Sequence, residues 1–124
     1  MTSTGFNVEH HGTIEVHVDD DRSRVVLHGE IDGARRDEAS AALAAVVTAA
    51  LPVDIETADV TFIDSSGVAF LVQIHAIGAD EGFAVRLVEP SEVVVDVLTM
   101  IGLDDRFELA APGRGAAELT TLVG

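Results

Sequence analysis

The chain has 124 residues, of which 22 are acidic and seven are arginine, with no lysine, no cysteine and a formal net charge of −15. That balance argues against nucleic acid and anionic membrane surfaces, which demand basic patches. It suits a basic protein partner or solubility alone. The missing cysteines exclude a disulfide scaffold and thiolate metal sites, and the length suits one domain, 1–124, able to bury a core without staples.

Residues 1–12 read as a lead-in and about 13–123 as the core. Ile14, Val16 and Val18 alternate with polar neighbours in "TIEVHVD", the period of a half-buried strand. "DDDR" makes a turn, and "SRVVLHG" is a second strand, giving a hairpin. From Arg35 to Ala50 the chain is alanine-rich and helical, with Leu43, Val46, Val47 and Ala50 spaced as one buried face. Pro52 ends that helix. "VDIET" and "VTFI" are then either one long strand or two pieces joined by "TAD".

After Gly67 the run from Val68 to Ala79 is apolar almost throughout, which predicts a helix mostly buried outside a stripe of Ser66, Ala69, Gln73, Ala76 and Asp80. "AVRLV" is a further strand. "PSEVVVDVLTMIGL" predicts a helix capped by Ser91, burying Val94, Val97, Leu98 and Ile101, and stopped at Gly102. A strand at Phe107 to Leu109 and a helix at Ala116 to Leu122 follow. The order β-β-α-β-α-β-α-β-α implies an α/β fold with a mixed, mostly parallel sheet, an opening hairpin and about four flanking helices. The charge-free run from Ala39 to Val53 is too short to span a bilayer, and no basic-then-apolar leader is read, so the expected location is the cytoplasm.

In such a sheet, function gathers at the carboxyl ends of the strands, where "IDSSG" (Ile63 to Gly67) makes a strand-to-helix corner. A serine hydrolase would place Ser65 at a nucleophile elbow, but the histidine downstream is His75, early in the next helix. A phospho-receiver would use Asp64 as acceptor and Asp19 to Asp21 as a metal cluster, yet the lysine of that family is missing. A third reading makes a serine here the substrate, because a phosphate placed there adds charge at an exposed helix start. A plain helix cap remains open beside these. If Ser65 stays free, Ser66 is the expected N-cap and Gly67 the first helical residue. The five histidines suggest no metal triad.

"VVLHGEID", "DVTFIDSSGVAFLV" and "VEPSEVVVDVLTMIGLDDRFEL" resemble, in order and spacing, the STAS-domain family, in particular bacterial anti-anti-sigma factors. The resemblance implies a protein that is not an enzyme and needs no metal or cofactor. It implies binding to an anti-sigma factor, a serine kinase of histidine-kinase-like ATPase fold, which releases a sigma factor. Phosphorylation of the serine directly after the aspartate, Ser65, would break that complex, and a phosphatase would restore it. The candidate partner surface is Gly29, Glu30, Asp32, Asp64, Ser65, Ser66 and Gly67, with the acids of "GEID" at the same sheet end as the corner. The helix after the corner carries Gln73, His75, Asp80 and Glu81 where many relatives carry basic residues. The alternative function is a regulatory subunit of a lipid or anion transport system, or a small-ligand sensor.

Overall fold

The structure is a computed structural model that describes residues 12–103, 105 and 107–110. Strand β1 (Gly12–Val18) turns into β2 (Ser23–Ile31), and a 3-10 turn (Gly33–Arg35) leads into α1 (Arg36–Ala49). Then come β3 (Val53–Ile63), α2 (Ser65–Glu81), β4 (Val85–Val88), α3 (Glu92–Met100) and β5 (Glu108–Ala110). The expected helix at 116–122 lies outside the described residues.

The sheet runs β1-β2-β3-β4-β5, antiparallel at the hairpin and parallel from there on. This mixed α/β architecture with an opening hairpin is the one the sequence predicts. Each parallel step moves to the next strand in the same direction. Right-handed crossovers then place every connecting helix on one face, and among the described residues no helix covers the other, open face.

The strands show that asymmetry. Val25, Leu27, Val53, Ile55, Val85 and Leu87 are buried under the helices in a single core with Phe70, Leu71, Ile74, Val94 and Leu98. Their neighbours in sequence point to the open face and pair there. Arg24 makes a two-pronged contact with Glu56 (2.7 and 3.2 Å), which holds its guanidinium above its ordinary pKa. Arg22 (2.7 Å) and Arg86 (3.0 and 3.1 Å) both bond the Asp54 carboxylate. Such forked contacts satisfy a partly buried carboxylate better than a single bond does.

The question of "VDIETADVTFI" resolves as one strand with two irregularities. Opposite β2, register shifts fall between Val26 and His28 and between Gly29 and Glu30. Extra residues in β3 absorb them, so its inward positions run Val53, Ile55, Thr57, Val60, Ile63 rather than strictly alternating.

Three expectations about burial change. In α1 the inward stripe is Ala39, Ala42, Leu43 and Val46, whereas Val47 is 40% exposed. Ala50 has left the helix: it takes a left-handed conformation (φ 54°) and closes α1 through its N–H to the Val46 carbonyl. Helix α2 is buried along one face only, at Gly67, Phe70, Leu71, Ile74 and Gly78, and Val72 and Ala79 are exposed. In α3, Val94 and Leu98 are buried and Val97 packs beside them, but Ile101 lies past the last turn and is 49% exposed.

Both ends of the α2 stripe are glycines because the sheet comes too close for anything larger. A Cβ on Gly67 would sit 2.7 Å from the Ile31 carbonyl oxygen, and one on Gly78 2.7 Å from the Phe83 oxygen. The side-chain caps are acidic or hydroxyl groups, as propensity demands, while α1 continues from the 3-10 turn with no side-chain cap at Arg35. Ser91 caps α3, accepting from Val94 N–H, as expected. The α2 cap is not Ser66. It is Asp64, whose Oδ1 accepts from Ser66 N–H (2.9 Å) and Gly67 N–H (3.2 Å), so the helix begins at Ser65. A carboxylate outcompetes a hydroxyl for these donors because it carries charge toward the positive end of the helix dipole.

Gly67→Ala is therefore expected to cost about 1–3 kcal/mol through overpacking. Gly33→Ala, whose Cβ would meet only Ser66 Oγ at 3.7 Å, should shift stability by less than about 0.5 kcal/mol. Urea unfolding of the two variants measures the difference. The caps separate in the same way. Asp64→Ala should cost about 1 kcal/mol, roughly 3–6 °C of melting temperature, whereas Ser66→Ala should barely move a thermal melt.

Candidate functional site

The end of β2, the end of β3 and the start of α2 meet at one corner of the sheet. Ile31 pairs with Ile63, and the Asp64 N–H donates to the Ile31 carbonyl (3.2 Å), so "GEID" and "IDSSG" are neighbours across two adjacent strands. The seven sequence-predicted site residues all fall on this end of the molecule, but they do different things there.

Gly29 is part of the ladder, between Gly12 and Val60, with φ 71° at the second register shift. Glu30 pairs across β3 with Phe62. Asp32 is a cap: its Oδ1 accepts from Ala34 N–H (3.0 Å) and starts the 3-10 turn into α1. Gly67 is buried against Ile31 and Ile63 and faces the core rather than solvent. Its lack of a side chain serves the close approach of helix to sheet, not access from outside.

The two serines differ. Both are exposed, and neither hydroxyl makes a hydrogen bond among the described residues. Ser65 stands on the outer side of the first turn. Ser66 faces the cleft between α1 and α2, near Gly33. Asp64 holds the Ser66 and Gly67 N–H groups, which fixes the corner while the Ser65 hydroxyl is unengaged.

This geometry disposes of two chemistries. His75 lies ten residues along α2 from Ser65, about 15 Å at 1.5 Å per residue, and its ring stands edge-on to Phe107 at 5.2 Å. It cannot serve as a base for Ser65. Asp19 to Asp21 form the hairpin turn before β2, at the amino end of the parallel strands, whereas Asp64 follows the carboxyl end of β3. No receiver-type acid cluster forms. Among the described residues no group of three or more His, Asp or Glu side chains is placed to hold a metal ion, and no helix is long and apolar enough to cross a membrane.

Sequence reading missed Phe62. It is 47% exposed and lies on the open face beside Glu30, one residue before buried Ile63. The signal was its parity against Ile63, hidden by the irregularities of β3. It also missed Arg35 and Arg36, which stand at the mouth of the α1–α2 cleft.

Solved structures share this fold. An anti-sigma factor antagonist from Mycobacterium paratuberculosis is 26% identical, with a TM-score of 0.69 over 92% of this chain and 95% of that one. The anti-sigma factor antagonist SpoIIAA in its unphosphorylated form is 21% identical (TM-score 0.68, 90% and 96%). The Bacillus cell fate determinant SpoIIAA in its phosphorylated form is 18% identical (TM-score 0.64, 90% and 100%). No curated protein matches the chain in sequence. Residues 14–111 match the family model described as "Mlab, STAS domain", which takes in every described strand from β2 to β5, both acidic segments and the serine corner: the chain belongs to the STAS-domain family.

Proposed function

We propose that the protein is an anti-sigma factor antagonist switched by phosphorylation of Ser65. The observation that carries the reading is the unengaged, outward Ser65 hydroxyl on a helix start where Asp64 already occupies the Ser66 and Gly67 N–H donors. The solved antagonists support it, above all SpoIIAA with and without its phosphate. In this reading the protein catalyses nothing itself, needs no cofactor and works in the cytoplasm. Its partner is an anti-sigma factor with a kinase of histidine-kinase-like ATPase fold, and a phosphatase resets it.

The physics of the switch follows from the cap. A kinase transfers the γ-phosphoryl of ATP to Ser65 Oγ: the Oγ–P bond forms, the bond to the β-phosphate oxygen breaks, and the hydroxyl proton leaves to a base on the kinase. The phosphate brings a charge of about −1.5 to −2 at neutral pH. Helix starts normally absorb such charge through free N–H groups. Here the Ser66 and Gly67 N–H groups are taken by Asp64, so the new charge stays beside a carboxylate and acts on whatever is docked against it. Glu30 and Asp32 add negative potential at the same end and steer a basic partner surface. Phe62, beside Glu30 on the open face, suits the apolar centre of such a contact, where aromatic side chains concentrate binding energy.

Titration calorimetry against the cognate anti-sigma factor tests the switch. Ser65→Ala should bind and take no phosphate, whereas Ser65→Glu should lose about 1–3 kcal/mol of affinity; equal affinity for Ser65→Glu and the wild type overturns it. A pull-down that recovers a transporter ATPase instead of a kinase-fold protein overturns the partner. Association should also slow with added NaCl, since screening acts over about 8–10 Å. The pair Glu30→Gln and Asp32→Asn should flatten that dependence in stopped-flow traces, with asparagine keeping the Asp32 cap.

A further inference from the structure

A cleft of about 320 Å³ lies between α1 and α2 and opens beside the serine corner. Its floor is apolar, formed by Ile14, Ile31, Leu43 and Phe70, and Arg35 and Arg36 stand at its mouth. We propose that this cleft is a binding site for a small amphipathic carboxylate, its alkyl tail on the floor and its head group on the two arginines. The proposal is independent of the switch at Ser65 and stands or falls separately.

The charge inventory leads to it. In a chain with a net charge of −15, described arginines are spent on carboxylates: Arg22 and Arg86 on Asp54, Arg24 on Glu56, Arg35 on Glu38. Arg36 is the exception, an exposed guanidinium with no carboxylate partner among the described residues. Arg35 is only partly satisfied. Its Nη1 donates to the Gly12 carbonyl (2.9 Å) and to Glu38 (2.6 Å), but its Nε is buried without a hydrogen-bond partner. A carboxylate is the group whose geometry matches a guanidinium edge, and the exposed Arg36 offers one to the cleft. Asp32 also lines the mouth, but its Oδ1 is committed to Ala34 N–H.

Size and polarity narrow the class. The volume is at the low end of small-molecule sites, which run from roughly 300 to 1,000 Å³, so a nucleotide or a full lipid is too large. A neutral apolar molecule would leave the arginines unanswered, and a cation would be repelled by them. A short fatty carboxylate has the same asymmetry as the cleft.

The test is a titration of the full chain, labelled with ¹⁵N, with sodium octanoate, sodium butanoate and 1-octanol as separate probes. Saturable shifts at Ala39, Leu43, Ala69 and Gln73 are expected with octanoate, weakening as NaCl rises. Each methylene from butanoate upward should tighten binding about threefold to fourfold, the factor for burying one CH₂. Arg36→Gln, an exposed change that leaves the core intact, should weaken octanoate fivefold or more without affecting 1-octanol. Ala69→Phe, also exposed, should block both by filling the cleft. No saturation by 20 mM octanoate, shifts centred elsewhere, or 1-octanol binding as tightly as octanoate with Arg36→Gln silent would each overturn the site.

Discussion

The arrangement of this protein turns on one close approach, that of Gly67 to the Ile31 carbonyl. A side chain there would lie inside contact distance of both Ile31 and Ile63. Without one, the first turn of α2 settles onto the ends of β2 and β3, and the Asp64 N–H reaches the same carbonyl. The strand ends and the helix start are thereby locked into one unit. Whatever Ser65 does, it does from a platform fixed by backbone contacts, which is the rigid mounting that a recognition site requires.

The second constraint is the direction of the sheet. Because β2 to β5 step one way, all three described helices cover the same face, and no described helix covers the other. Parallel sheets are usually covered on both sides and read as continuous apolar runs. This one reads as alternation, in "SRVVLH", "VDIE" and "VRLV", and its outward positions are stitched by Arg22, Arg24 and Arg86 to Asp54 and Glu56. Those pairs use most of the described basic charge.

Much of the fold was legible from period and punctuation. The hairpin, the helix stopped by Pro52, the Ser91 cap and the Gly102 stop are all local signals, and each appears where its residues place it. What was not legible depended on tertiary context. Val47 and Ile101 look as apolar as their buried neighbours, and only the direction of each helix against the sheet decides which of them is covered. The extra residues in β3 broke the alternation that would have shown Phe62 to be outward. The cap was misread for a different reason. "DSSG" offers three candidate caps in succession, and the choice among them depends on where the chain leaves β3, which the Ile31–Asp64 hydrogen bond sets.

That choice has consequences for both serines. Had Ser66 been the cap, its hydroxyl would be bound and Asp64 would be a free surface acid. With Asp64 as the cap, the negative charge is turned inward to the helix dipole and both hydroxyls are released. One of them faces solvent and the other faces the cleft between α1 and α2. A phosphate added to Ser65 would find the Ser66 and Gly67 N–H groups already committed to Asp64, so the helix end would offset less of its charge. In the proposed switch the same carboxylate that stabilises the corner would leave much of an added charge to act on a docked partner, so the stability of the corner and the force of the switch would have a single origin.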